Sequence, residues 1–175
     1  NGGGSGGVVG ASRFQGSNSE PVKITNSTFT QNDAVAIYYA VDATITGNTI
    51  TYNESGISVG GGDTTISDNV ITHNTGGGIY GQIQNGVVTI SNNQISDNSN
   101  TGVKIEHGDP GTVTATISNN TIVRNTGASY GGGIRAGGGG LESYMGFTLH
   151  ITNNYIADNS AGIGGGIYIS DRYPT

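Results

Sequence analysis

One phrase of apolar and polar positions recurs along the chain. An Ile is followed three residues on by a small polar residue, usually Asn; two residues later comes a second Ile or Phe, and three after that an Asn. The copies are I-T-N-S-T-F-T-Q-N closing at Asn32, I-T-G-N-T-I-T-Y-N at Asn53, I-S-D-N-V-I-T-H-N at Asn74, I-S-N-N-Q-I-S-D-N at Asn98, I-S-N-N-T-I-V-R-N at Asn125 and I-T-N-N-Y-I-A-D-N at Asn159. Their first residues are Ile24, Ile45, Ile66, Ile90, Ile117 and Ile151, at spacings of 21, 21, 24, 27 and 34. The spacing grows while the phrase is kept, so loops have been inserted between constant segments. A third apolar site follows each closing Asn, at Ile37, Ile57, Ile79, Val103, Ile134 and Ile167.

Short alternation and a wealth of Thr, Ile and Val predict strands, and no stretch carries a helical period. A unit this short cannot bury its apolar residues alone, so successive copies must stack on a shared core. The predicted fold is all-β: a right-handed single-stranded parallel β-helix, a solenoid with three short strands per coil and coils about 4.8 Å apart. It is read as one domain over 1–175, with a partial leading coil over 1–21, six full coils over 22–170 and a tail over 171–175. The Gly-rich start through Val8 and Val9 matches the end of a coil such as Gly164 to Ile169, so the chain enters in mid-coil.

Two polar columns run beside the apolar ones. The first is Ser27, Asn48, Asn69, Asn93, Asn120 and Asn154; the second is Asn32, Asn53, Asn74, Asn98, Asn125 and Asn159. Asn tolerates left-handed backbone, which suits a corner. Stacked at one coil spacing, each carboxamide can donate to the next, so these Asn residues are expected to form structural ladders.

Composition qualifies this picture only slightly. Gly is 33 of 175 residues and charged residues are 10%, values that by themselves describe a flexible chain. The glycines, however, fall at fixed places in the repeat. Net charge is −6 with no basic run, which disfavours nucleic acid as a partner. Cys is absent, which removes disulfides and thiolate metal sites. No apolar run approaches the roughly 18 residues of a membrane span. The chain starts at Asn1 rather than Met, as expected of a mature exported product or of a fragment of a longer protein. An extracellular or cell-surface location is expected, with no cofactor.

The phrase [I/F]-x-x-N, as in Phe29-Thr-Gln-Asn32 and Ile71-Thr-His-Asn74, combines with Gly76-Gly-Gly-Ile79, Gly131-Gly-Gly-Ile134 and Gly164-Gly-Gly-Ile167. Together they resemble the repeats of polymorphic outer-membrane and autotransporter adhesin passengers, and more broadly the pectate-lyase-like superfamily of β-helices. The resemblance implies the fold. It leaves function open, because that superfamily holds lyases, glycosidases, epimerases, adhesins and structural proteins.

Several columns carry candidate chemistry. The residue before the second Asn column reads Gln31, Tyr52, His73, Asp97, Arg124 and Asp158. Asp97, Arg124 and Asp158 would be the centre of a glycan-cleaving enzyme, or else a surface ion ladder that aligns coils. The residue after the third apolar site reads Tyr38, Ser58, Tyr80, Lys104, Arg135 and Tyr168, with Glu106 and His107 beside it. Rings and cations on one face suit stacking on sugars, so Tyr38, Tyr80, Lys104, Arg135 and Tyr168 are candidate glycan-binding residues. Asp42, Asp63, Asp68 and Asp109 sit at turns, but Gly60-Gly-Gly-Asp63 occurs once, without the tandem copies a calcium site needs, and no metal is expected. Hydroxyls bracket the first Ile in Thr44-Ile-Thr46, Thr65-Ile-Ser67, Thr89-Ile-Ser91 and Thr116-Ile-Ser118, interrupted by Lys23 and His150. Such ranks also occur on ice-binding solenoids. Asn26, Asn53 and Asn119 head glycosylation sequons, with Asn53 expected to be sequestered in its ladder.

The expected role is a structural protein of the cell exterior, either a filament subunit joined head to tail to further copies by strand stacking or an adhesin-like stalk. The alternatives are a polysaccharide lyase or glycosidase and a carbohydrate-binding module, with ice binding a lesser one.

Overall fold

Each Thr/Ser-Ile-Thr/Ser triplet is built to lie flat, since the Ile points to one face and its neighbours to the other. In the computed structural model, which describes residues 9–10, 21–108, 111–138 and 146–170, the chain forms three stacks of parallel strands, and triplets of this kind lie in the first two. The first sheet comprises Val22–Thr25, Ala43–Thr46, Thr64–Ser67, Gly86–Ser91, Val113–Ser118 and Phe147–Thr152. The second comprises Thr28–Thr30, Thr49–Thr51, Val70–Thr72, Gln94–Ser96, Thr121–Val123 and Tyr155–Ala157. The third begins with Val9–Gly10 and continues through Val35–Val41, Ser55–Gly61, Ile79–Ile83, Val103–His107, Ile134–Gly138 and Ile167–Ser170. The remaining leading residues and the 171–175 tail lie outside the described residues.

Register follows the repeat. Ile24, Ile45, Ile66, Ile90, Ile117 and Ile151 pair in sequence on the first sheet. Phe29, Ile50, Ile71, Ile95, Ile122 and Ile156 do so on the second, and Val9, Ile37, Ile57, Ile79, Val103, Ile134 and Ile167 on the third. The columns meet in one core that buries most of these side chains completely. Each fully buried Ile contributes about 1.5–3 kcal/mol relative to exposure. The last two coils add a fourth, two-stranded sheet, Ala128–Tyr130 with Ala161–Ile163, where the stretch between closing Asn and third-sheet Ile is longer.

The carboxamides form two continuous ladders. Asn98 Nδ2 donates to Asn125 Oδ1 at 2.9 Å and to the Ile71 carbonyl at 3.1 Å, while its Oδ1 accepts from Asn74 N at 3.0 Å and Asn74 Nδ2 at 2.9 Å. The same pattern links Asn48, Asn69, Asn93, Asn120 and Asn154, and in the other column Asn32, Asn53, Asn74, Asn98, Asn125 and Asn159. Ser27 heads the first column without a carboxamide, and only its backbone N–H reaches Asn48 Oδ1. Among the described residues no buried side-chain polar atom lacks a partner.

The ladder residues do not carry the left-handed backbone expected of them. That conformation sits one residue earlier. Asn26, Gly47, Asp68, Asn92, Asn119 and Asn153 precede the first column, and Gln31, Tyr52, His73, Asp97, Arg124 and Asp158 precede the second, all with φ between 49° and 68°. The turn is thus made by an exposed residue, or at Asp97 a half-buried one, and the Asn or Ser that follows occupies the ladder position.

A further column explains the Gly-Ile signature. Gly56, Gly78, Gly102, Gly133 and Gly166 each precede the third-sheet apolar residue, with Ala36 in the first coil. A Cβ on Gly102 would stand 2.8 Å from Ile122 Cγ2 and 2.9 Å from Asn125 Nδ2. The chain here passes directly over the second-sheet Ile and the ladder.

Candidate functional site

Outward side chains of the third sheet provide the most concentrated chemistry. The register places Ser58 beside Tyr80, Tyr80 beside Lys104, Lys104 beside Arg135 and Arg135 beside Tyr168. Glu106 ties them together. Its carboxylate accepts a hydrogen bond from the Tyr80 hydroxyl at 3.2 Å and lies 2.9 Å from Lys104 Nζ and 3.5 Å from Arg135 Nη2. The Lys104 ammonium also lies over the Tyr80 ring, 4.7 Å from its centre. Arg135 lies 5.7 Å from the centre of the Tyr130 ring, which packs 4.9 Å from that of Tyr168. Burial raises the Tyr80 hydroxyl's pKa, and the Glu106 charge and hydrogen bond add to the effect. The two cations share one carboxylate of their own chain, so the column keeps a net positive charge beside its aromatic rings.

Two clefts flank Tyr80. One, of about 230 Å³, is lined by Tyr38, Ser58, Tyr80 and Gln82 among others. The second, of about 250 Å³, lies toward Thr101 and Lys104. Glu106 stands alone in its column and repeats nowhere, so no periodic signal marks it as the centre of the network. His107, its neighbour, points inward, buried against Phe147 with Nε2 3.0 Å from the Gly111 carbonyl.

The corner ridge behaves differently. Arg124 donates two parallel hydrogen bonds to Asp97, at 2.7 and 2.8 Å, and this holds the Asp97 carboxyl below its ordinary pKa. No ion pair joins Arg124 to Asp158 among the described residues, although Asp158 adds to the field that raises the pKa of Arg124. Asp97 and Asp158 stand two coils apart. The geometry is a clamp between adjacent coils, and earlier in the same column the Tyr52 and His73 rings meet at a tilt, their centres 5.2 Å apart.

The remaining candidates are structural in their contacts. Asp42 Oδ1 accepts from the backbone N–H of Asp63, and Asp63 Oδ1 from that of Val87, each at 3.0 Å. Asp68 forms a left-handed corner, and Asp109 lies outside the described residues. Among the described residues no three His, Asp or Glu side chains converge as a metal site would require. Thr44, Thr65, Thr89 and Thr116 lie in register on the first sheet, and the Thr46 and Ser67 hydroxyls bond at 3.0 Å. Asn53 is buried in its ladder, whereas Asn26 and Asn119 occupy exposed corners.

Comparison with known families gives a match to the right-handed beta helix region over residues 11–174. The chain belongs to the right-handed β-helix family. No curated protein and no solved structure gave a significant match. The β-helix family is defined by its coil, so membership accounts for ladders, corners and core, and the outward columns have to be read from their own geometry.

Proposed function

We propose that this β-helix is a structural protein of the cell exterior, a filament subunit or adhesin-like stalk, that associates with further copies through its last coil. The observation that carries this reading is the exposure of apolar columns on the last described coil. Ile163, Ile167 and Ile169 are 57%, 42% and 59% exposed, although Ile167 and Ile169 continue columns that are fully buried in earlier coils. The strands Phe147–Thr152, Tyr155–Ala157 and Ile167–Ser170 are the outermost members of their sheets. Among the described residues these strands have no neighbour on their outer side, and open strand edges beside exposed Ile side chains are an adhesive surface. A second copy supplying a further layer would pair those edges and exclude water from the Ile columns.

Head-to-tail joining would continue the third sheet of one copy into that of the next, Ile167–Ser170 of the first lying beside Val9–Gly10 of the second. Such a contact does not close and generates a fibre. Electron microscopy of the concentrated protein tests the proposal. Fibres with a rise of about 34 Å, seven layers at about 4.8 Å, are expected of the filament. Discrete dimers would retain self-association and remove the filament, and monomers at every concentration would remove both.

A further inference from the structure

At the corner between the third sheet and the first, one coil lies close over the next. Gly86 has a φ of 101°, and a Cβ on it would stand 2.5 Å from the Gly62 carbonyl oxygen. Both the dihedral and the neighbouring coil therefore demand glycine here. The peptide in front of Gly86 is bonded on both sides. Gly62 N–H donates to the Asn85 carbonyl at 3.0 Å, and Gly86 N–H donates to the Thr112 carbonyl at 3.0 Å. The fold thus fixes a glycine directly after Asn85.

Asn85 differs from the other carboxamides. Ladder residues such as Asn93 and Asn98 are buried and bonded. Asn85 is exposed, and its side chain has no hydrogen-bond partner among the described residues. Asn26, Asn92, Asn119 and Asn153 are exposed at left-handed corners, but Ser or Asn follows each of them. Asn100 is exposed as well, and its Oδ1 accepts from Thr101 N–H at 2.8 Å, but Thr101 is β-branched and buried. Among the described residues Asn85-Gly86 is the sole Asn-Gly pair, and Asn1-Gly2 lies outside them. This matters because a backbone nitrogen can attack the side-chain carbonyl of an Asn before it. A side chain on the attacking residue hinders that approach, and glycine has none.

We infer that Asn85 is a self-modification site, deamidated through Gly86, and that the hydrogen bond from Gly86 to Thr112 controls the reaction. The Gly86 nitrogen loses its proton to base and attacks Cγ of Asn85. The N–Cγ bond forms, the Cγ–Nδ2 bond breaks, and the amide leaves as ammonia. Water then opens the cyclic imide. Breaking the new N–Cγ bond gives aspartate. Breaking the original peptide bond gives isoaspartate, in which the chain reaches Gly86 through Cβ and Cγ. The net change is amide and water to carboxylate and ammonium, with no oxidant or reductant. Either product adds a negative charge. In the isoaspartate, the carbonyl that accepted from Gly62 becomes a free carboxylate, so the stitch between coils is altered. In the folded chain the Gly86 N–H is held by Thr112, and the corner has to open locally before the nitrogen can attack. This site is independent of whether the end coil associates.

The test is to age the purified chain in mildly alkaline buffer, folded and in guanidinium chloride, and to map its peptides by mass spectrometry. Enzymatic methylation of isoaspartate gives a second readout. In the folded chain Asn85 is expected to be the first residue within 21–170 to be converted, yielding both products. In guanidinium the Gly86 amide is released, and conversion there is expected to be faster by about tenfold or more. The fraction enriched in isoaspartate is expected to melt below the unaged chain, because the bond from Gly62 has lost its acceptor. Asn85→Gln keeps Gly86 and a carboxamide, and its peptide is expected to stay unmodified. The mapping is read in the unaltered protein, so the test stands even where the variant folds poorly. Conversion of Asn100 or Asn119 ahead of Asn85 in the folded chain would overturn the assignment. So would equal rates folded and unfolded, or an Asn85 still intact in the folded chain after about a hundredfold longer than its conversion takes in guanidinium.

Discussion

The Asn98 carboxamide makes four hydrogen bonds and has no spare capacity, so the ladder reports on single substitutions. Asn98→Leu keeps the branched shape, adds some bulk and removes every side-chain hydrogen bond. It strands Asn74 N–H, one Asn74 Nδ2 hydrogen and the Ile71 carbonyl in a region closed to water. Each stranded group costs about 1–3 kcal/mol, so a loss of several kcal/mol and a melting point lower by roughly 10 °C or more are expected. Calorimetry showing an unchanged transition would remove the ladder from the list of stabilising features. The Arg124 clamp is the contrasting case, exposed and weak. Arg124 lowers the Asp97 pKa, so the clamp stabilises the fold above the ordinary carboxylate range and that contribution is lost as pH falls through the depressed value. Arg124→Ala should therefore melt slightly lower than the parent at pH 7 and coincide with it once Asp97 is protonated. A gap that persists in acid would point to packing rather than charge. At this scale the ladders were legible because Asn recurs in step with Ile. The left-handed corners were not, since Gln31, Tyr52, His73 and Arg124 are residue types that give no sign of that backbone.

Strand positions were legible because an Ile flanked by hydroxyl residues has one way to sit on a sheet with a buried face. Three features escaped that logic. The extra strand pair, Ala128–Tyr130 with Ala161–Ile163, has no alternation of its own and forms because two successive loops have similar lengths. The irregularity between Ile37 and Ala40 is invisible in a sequence that alternates on both sides of it. The Gly column was visible as a motif, but its cause was not: the strand entering the third sheet passes within contact of the ladder. That cause makes a prediction about the element as a whole. Gly102 has ordinary backbone dihedrals, so a side chain there is penalised by space alone. Gly102→Val pushes against Ile122, Asn125 Nδ2 and the Gly133 carbonyl together, where neither the buried Ile nor the bonded carboxamide can retreat. Overpacking of this kind costs about 1–3 kcal/mol, with ladder distortion added to it. Urea unfolding of Gly102→Val should show a lower midpoint, and Gly108→Val, whose Cβ meets its nearest neighbour only at 3.5 Å, much less change.

For the molecule as a whole, a solenoid divides its stability between coils and the contacts between them, so an end coil is held on one side only. The last described coil shows this in its burial, since Ile151 and Ile156 are half-buried where the residues they pair with, Ile117 and Ile122, are sealed. If the coil gains a further layer from another copy, the interface is made of two things, paired strand edges and covered Ile side chains, and the second can be removed without touching the first. Ile169→Lys places a charge on a side chain that is already 59% exposed, so the isolated coil loses little. In an assembled state that same charge would be buried without a partner, which is costly. Light scattering across a concentration series should therefore show mass rising with concentration for the parent and a constant monomer mass for Ile169→Lys, with the two melting alike when dilute. Tyr155→Lys provides the control. It belongs to the same end coil but is 65% exposed on the outward face of the second sheet, away from the Ile side chains that a further layer would cover, and should associate as the parent does. Equal loss of association in both variants would mean that net charge, and not the open coil, governs contact between copies.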